Sequence, residues 1–348
     1  MPSLFGIVRV LAEPRITVGI PTHNRAEMLR ASIESVLSQP RSDLRVIVCD
    51  NASVDYTAEV VASFDDSRLA YVRSDVNVGM IGNLNRAIGL ADTEFLVLLP
   101  DDDLLYPGYF DAVVEVFDRY PQAGLVHTAF DLVDQDSALL EASRNLLGST
   151  EPVVVESGDQ FLRRSMRVSW PVCFSSAMYR TAAIVDAGGL NADEEPFADL
   201  PMWMRIALDW DFAFLSEPLA AIRVHGESAT AALGSFVAGQ IDVPDRNDIL
   251  LRRRTGFLGA AQSRLSRRRM RLYGRLARRS FRDEEIRQIA NSAGSGAPWK
   301  TTWLRLLQEL RRDPAALLLR RTWQLVLAQL GARWGRNTAT RILRRLSY

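Results

Sequence analysis

Three consecutive carboxylates, Asp101, Asp102 and Asp103, follow the apolar run Phe95 to Leu99 and Pro100. Adjacent negative charges repel one another unless a cation or a positive ligand group offsets them. Oxygen donors of this kind suit Mg²⁺ or Mn²⁺, with a diphosphate completing the shell. A solvated turn or the start of a helix would accept the same residues. Asp50 closes a second apolar run and is followed by Asn51. A carboxylate there is complementary to the imide N–H of a uracil or thymine ring. Asp50, Ser53 and Asp55 are also candidate caps for the helix predicted from Thr57, and the preferred division gives capping to Ser53 or Asp55 and base contact to Asp50. The only histidines are His23, His127 and His225, so no cluster suggests zinc.

Short β-rich runs at Ile16 to Ile20, Leu44 to Cys49, Leu69 to Val72 and Phe95 to Leu99 alternate with helical patterns at Glu27 to Leu37, Thr57 to Phe64 and Met80 to Leu90. Such alternation predicts a largely parallel sheet covered on both faces, with ligands gathered beyond the strand carboxyl ends. From 104 to 225 the pattern is mixed: helical at 107–119 and 199–209, strand-like at Gly124 to Phe130 and Phe212 to Leu215. Residues 226–250 are small and polar and suit a linker or loop.

The 348 residues carry no net charge, but the charge is segregated. Positions 1–250 hold 18 basic and 37 acidic residues, and 251–348 hold 24 basic and 5 acidic. Hydrophobic residues at 47% exclude a disordered chain, and two cysteines, Cys49 and Cys173, exclude a disulfide scaffold and suit a reduced compartment. The first 15 residues lack the features of a secretory signal, and no stretch reaches the roughly 18 uncharged apolar residues of a spanning helix. A cytoplasmic protein is therefore expected, peripheral at the inner face of the cell membrane if its basic tail binds there. In that tail Arg264, Arg267 to Arg269, Arg271, Arg275, Arg278 and Arg279 share a helical stretch with Leu265, Leu272 and Leu276. It reads as a packing or dimerising helical domain, or as an element for an anionic membrane surface, with nucleic acid the least favoured partner. Trp303 to Leu310 and Leu319 to Leu330 continue the helical pattern after a break at 291–298.

From Ile16 to about His225 the chain resembles glycosyltransferase family 2. Four motifs in order carry the likeness: Ile20-Pro21-Thr22-His23-Asn24-Arg25, Cys49-Asp50-Asn51-Ala52-Ser53-Val54-Asp55, Asn77-Val78-Gly79 with Asn83 and Asn85, and the acidic turn followed by Leu-Leu-x-Pro-Gly. The resemblance implies a GT-A fold: a Rossmann-like, mixed but mostly parallel sheet with flanking helices, here with a basic helical region appended. It implies a catalytic domain over 1–230, a linker at 231–250 and an Arg-rich region over 251–348. Pro21, Thr22, Asn24, Arg25, Asp50, Asn51, Asn77, Gly79, Asn83 and Asp101 would bind the nucleotide sugar. Gly79 would equally serve a tight turn. Asp102, Asp103 and His225 would hold Mg²⁺ or Mn²⁺. The usual first Asp of the acidic motif is here Pro100, so Asp103 could instead brace the turn.

Sugar transfer also needs a base for the acceptor proton. Ser175 to Arg180, Gly188 to Asn191 and Phe197 to Arg205 follow the order of the family's downstream motifs. This makes Asp199 the expected base, with an N-cap as the alternative and Glu194 and Glu195 as rivals. An ordinary carboxylate is a weak base at neutral pH, so burial or close acceptor contact would have to help. Trp170 and Trp203 are either core or sugar-stacking residues.

The implied reaction is metal-dependent, inverting and non-processive, since the Gln-x-x-Arg-Trp motif of processive synthases is absent. It would use a UDP- or dTDP-sugar and a glycan or lipid-linked acceptor, in cell-surface polysaccharide or glycolipid synthesis. A homo-oligomer is compatible with the basic tail. The competing readings are a sugar-1-phosphate nucleotidyltransferase, whose Gly-rich phosphate loop is missing here, and a non-catalytic basic interaction protein.

Overall fold

The computed structural model describes residues 13–168, 171–195, 197–226 and 253–277. The chain divides into two compact units, Met1–Gly239 and Gln240–Tyr348. The division falls inside 231–250, and Trp170, Arg278, Arg279 and the helical patterns beyond 291 lie outside the described residues.

The first unit opens with four strands and three helices in alternation: β1 (Ile16–Thr22), α1 (Ala26–Leu37), β2 (Leu44–Asp50), α2 (Thr57–Ala62), β3 (Leu69–Arg73), α3 (Gly79–Leu90) and β4 (Phe95–Leu98). After β5 (Leu104–Leu105) come α4 (Tyr109–Arg119), β6 (Ala123–Val133), β7 (Leu139–Arg144), β8 (Val153–Glu156) and α5 (Gly158–Ser165). The unit closes with β9 (Ala177–Arg180), α6 (Thr181–Asp186), α7 (Asp199–Ile206) and β10 (Asp211–Arg223). All form one sheet of order β3-β2-β1-β4-β9-β6-β10-β5, with β7 beside β6 and β8 beside β10. β1 runs parallel to β2 and β4, β2 to β3, and β6 to β10. β9 is antiparallel to β4 and β6, which makes the sheet mixed as expected.

Burial explains the first half. Ile16, Val18 and Ile20 of β1 alternate into a core with Val46 and Val48 of β2, Phe95 and Val97 of β4, and Leu29, Ile33 and Val36 of α1. Each such side chain contributes about 1.5–3 kcal/mol when withdrawn from water. On the other face Gly19 lets α3 lie close, since a Cβ there would stand 2.8 Å from Ala87 Cβ.

Two expectations need correction. β10 does not stop at Leu215 but runs to Arg223, passing Pro218 where its pairing with β6 shifts register. A proline is tolerated at such an irregularity because no ladder hydrogen bond is demanded of it. The helix expected over 199–209 ends at Ile206.

The second unit is helical over 253–260 and 267–277. Phe257, Leu258, Ala261, Leu265, Tyr273 and Ala277 are buried, and Arg264, Arg267, Arg268, Arg269, Arg271 and Arg275 are exposed. No helix among the described residues is long and apolar enough to cross a membrane.

Candidate active site

The site lies where β1, β2 and β4 end. Parallel register sets Thr22 beside Asp50, and the Asn51 N–H donates to the Thr22 carbonyl at 2.9 Å. β4 runs into Asp101, Asp102 and Asp103, all buried. The turn is held from below by α1: the Ser32 hydroxyl lies 2.9 and 2.7 Å from the carbonyl oxygens of Asp101 and Asp103, and Ser35 Oγ accepts from the Leu105 N–H. Ser32 occupies a buried position on the apolar face of α1 between Leu29 and Val36. That polar intruder at core spacing was the available signal for its role.

The three carboxylates diverge. Asp102 Oδ2 accepts from Arg25 Nη1 at 3.1 Å and lies 2.9 Å from His225 Nε2, while Asp101 Oδ1 accepts from the same Arg25 nitrogen at 3.2 Å. Burial and the neighbouring Asp102 charge push Asp101 up to about 6, against the opposing pull of Arg25. Thr22 Oγ1 is buried beside this carboxylate without a hydrogen bond of ordinary geometry. Asp103 points elsewhere. Its Oδ1 accepts from the Arg223 N–H at 2.8 Å and its Oδ2 from the Ser175 hydroxyl, so both oxygens are engaged by protein and the residue braces the turn. Burial and Asp102 hold the Asp103 carboxyl well above the usual range.

Arg223, reached only because β10 is longer than its apolar core, ties the turn to a hairpin. Its Nε donates to the Asp102 carbonyl at 2.9 Å, and its Nη1 donates to the Asp134 and Gln135 carbonyls at 3.1 and 2.7 Å and to Ser137 Oγ at 3.0 Å. Those last three sit in the turn between β6 and β7.

Loops after β1, β2 and β3 interlock above Thr22 and Asp50. Asp55 accepts the Ala26 N–H that opens α1 at 3.1 Å and the Thr57 N–H that opens α2 at 3.2 Å, a helix-start contact made from outside the N-cap positions, which Arg25 and Tyr56 occupy. Ser53 Oγ accepts from the Asn24 N–H at 2.9 Å, and Asn24 Oδ1 accepts from the Val54 N–H at 2.7 Å. Asn24 and Ala52 both take positive φ, 55° and 63°, a strained geometry for residues with a Cβ. Asn51 joins the third loop, donating to Asn77 Oδ1 at 2.8 Å and accepting from the Val78 N–H at 2.9 Å. Gly79, at φ +77°, completes that turn. Asn83 lies beneath, donating to the Cys49 carbonyl at 2.7 Å. Asp50 itself is buried, with Oδ1 accepting from the Ser53 N–H and Oδ2 from the Tyr71 hydroxyl. Pro21 is the half-buried neighbour of Thr22 in β1. His23, which the motif passes over, stands exposed with Nε2 3.2 Å from both the Asn24 and Asn77 amides.

Asp199 opens α7 half-buried, taking a hydrogen bond from the Leu200 N–H at 2.8 Å. This bond to the next residue differs from the reach to N2 or N3 that defines an N-cap. Burial pushes its carboxyl up to about 6. Phe197, two residues earlier, adopts φ 76°. Of the rivals, Glu194 is paired with Arg205 at 3.0 Å and Glu195 is exposed. Trp203 is buried and donates to the Tyr179 hydroxyl at 3.1 Å, so it is a core residue. Cys49 and Cys173 are free, and burial pushes their thiols up to about 11 and 12.

Among the described residues no three Asp, Glu, His or Cys side chains are arranged to hold an ion by themselves. Asp102 and His225, with Nε2 2.9 Å from Oδ2, are side chains that could hold a hard divalent ion whose remaining ligands come from a diphosphate and water.

A mixed sheet whose parallel strands end on these groups is of the GT-A class. Residues 17–180, just under half of the chain, match the family model described as Glycosyl transferase family 2, and over that segment the chain is similar to that family. It is 35% identical over 105 residues to the GalNAc(5)-diNAcBac-PP-undecaprenol beta-1,3-glucosyltransferase of Campylobacter jejuni, covering 29% of this chain and 34% of that protein. It is 23% identical over 197 residues to the putative glycosyltransferase EpsE of Bacillus subtilis, covering 55% of this chain and 66% of that one. The chain thus spans about a third of the first relative's length and just under two thirds of the second's. Among solved structures, S. aureus TarS in complex with UDP-GlcNAc is similar at TM-score 0.57 and 16% identity, covering 93% of this chain and 89% of that one. The mannosyltransferase PcManGT of Pyrobaculum calidifontis, with GDP-Man and Mn²⁺, is similar at TM-score 0.52 and 17% identity, covering 91% and 84%.

Proposed function

We propose that the chain is a non-processive, inverting glycosyltransferase that moves a sugar from a nucleotide diphosphate to an acceptor hydroxyl. The observation that carries this reading is the acidic turn in a family 2 sheet, where Asp102 faces Arg25 and His225 while Asp103 is tied inward. Asp50, Asn51 and Thr22 flank the place for the base and ribose, with Pro21, Asn24, Asn77, Gly79 and Asn83 shaping the rim. Asp101 would stand near the ribose and Arg25 nearer the phosphates. The Asp50 carboxylate would accept from the imide N–H of a uracil or thymine ring, and guanosine is less favoured only by analogy with the family.

Asp102 and His225 would hold Mg²⁺ or Mn²⁺, and an ion there supplies charge to stabilise the departing diphosphate. In the transfer step the acceptor oxygen attacks the anomeric carbon, the bond from that carbon to the diphosphate breaks, and the acceptor proton passes to Asp199. Its carboxyl, raised to about 6, is a stronger base than an ordinary aspartate yet still ionised at neutral pH. A lipid-linked or glycan acceptor at the cytoplasmic face suits a relative named for an undecaprenol-linked substrate and another named for colanic acid biosynthesis. Nucleotidyl transfer and a purely binding role are less supported by this family. Thermal-shift measurements of the full chain with UDP-, dTDP- and GDP-sugars, with and without Mn²⁺, test the reading. Stabilisation by a uridine or thymidine sugar that requires Mn²⁺ is expected; indifference to every nucleotide sugar would overturn it.

A further inference from the structure

The second unit carries its arginines in an arrangement that the transfer chemistry does not use. In the helix over 267–277, Tyr273, Gly274 and Ala277 are buried and Met270 is half-buried, a spacing of three and four that defines one face. Arg267, Arg268, Arg271 and Arg275 are exposed, and the same spacing gathers them on one side of the helix, next to the buried face, along about 12 Å. No Asp or Glu occurs anywhere between Asp248 and Asp283, so no acidic side chain from this stretch dilutes the field.

A basic amphipathic helix that inserts into a bilayer interface does so through its apolar face. In this helix Tyr273, Gly274 and Ala277 are already buried within the protein, so that face is not offered for insertion. What this helix turns fully outward is mainly charge, with Leu272 and Leu276 half-buried beside it, and the guanidinium groups carry forked donors that match phosphate oxygens in pairs. We infer that Arg267, Arg268, Arg271 and Arg275 form a headgroup-docking strip that holds the protein on an anionic phospholipid surface by electrostatics without insertion. The choice of a lipid surface rests on the proposed lipid-linked acceptor, which places the reaction at a membrane.

Each basic residue near an anionic bilayer contributes about fivefold in partitioning, so four contribute several hundredfold. The test is co-sedimentation of the full chain with phosphatidylglycerol-containing vesicles, with pure phosphatidylcholine vesicles, and with duplex DNA, at low salt and at high salt. Binding to the anionic vesicles alone, lost at high salt, is expected. The variant Arg267→Gln/Arg268→Gln/Arg271→Gln/Arg275→Gln should lose several hundredfold in partitioning, and the corresponding four-lysine variant should keep most of it. Both variants should keep the wild-type melting temperature and wild-type turnover of a soluble donor. Equal binding to neutral vesicles, binding indifferent to salt, unchanged partitioning of the glutamine variant, or tighter binding to DNA than to vesicles would each overturn the inference. Should the glutamine variant fail to fold, the lysine variant and the salt dependence of the wild-type chain still decide it. Donor turnover is read separately, so a chain that turns over no nucleotide sugar but docks on anionic vesicles refutes the proposed function and leaves the strip standing.

Discussion

If Asp199 takes the acceptor proton, the rate must follow its ionisation. With its carboxyl raised from 3.8 to about 6, roughly nine-tenths is ionised at pH 7 and roughly one-tenth at pH 5. The turnover number should therefore fall about tenfold between those two values, whereas an ordinary aspartate would leave it nearly level. Measurement belongs at saturating donor, because Asp101 is also raised to about 6 and would colour the donor's KM. Asp199→Asn should remove most of the rate and abolish the acid limb while sparing donor affinity. The same shift has a signature in stability. Lifting a carboxyl from 3.8 to about 6 corresponds to about 3 kcal/mol, which partial solvent access reduces to about 1–2 kcal/mol. That cost is absent below the unfolded value, where the group is protonated in both states, and is fully present above the folded one. Asp199→Asn should thus be more stable than the wild type above pH 7, with the difference vanishing below about pH 3, in urea melts across pH. A variant that keeps more than a tenth of the turnover, or whose acid limb persists, would refute the assignment.

Asp102→Ala should abolish metal-dependent donor turnover, read with and without Mn²⁺, because it removes the carboxylate shared by Arg25 and His225. Ser32→Ala should cost about 1–3 kcal/mol in urea unfolding, since two buried carbonyls lose their hydroxyl partner. Gly158→Ala should destabilise by about 1–3 kcal/mol or more, because the new Cβ would stand 2.1 Å from the Ala207 carbonyl oxygen, a backbone atom with little freedom to yield.

The elements most visible in the sequence are those whose signal is local. β1, β2 and β4 are continuous apolar runs because both faces of the sheet are covered, and the helices between them keep helical spacing. α5 escaped notice although Ser157 and Gln160 form a reciprocal capping box at its start, a pattern present in the chain as Ser-x-x-Gln. β7 is exposed over nearly its whole length, so it lacks the alternation that marks a half-buried strand, and β9 is only four residues long. In the site, the placing of Thr22, Asp50 and the acidic turn at neighbouring strand ends was legible from the motifs. A bracing role for Asp103 was one of two alternatives there, but its partners were not legible, because Ser175 and Arg223 lie 72 and 120 positions away. The clamp of Arg223 on the β6–β7 turn is likewise a product of tertiary contact and carries no sequence period.

Asp55 fastens the starts of two helices at once, and Asn24 exchanges hydrogen bonds with the segment that Asp55 closes. The loops above Thr22 and Asp50 therefore behave as a woven band, in which a substitution in one strand of the weave is felt in the next. Any shift in nucleobase preference among descendants of this chain should then travel as linked changes at positions 24, 53 and 55, and single replacements there should loosen discrimination without redirecting it.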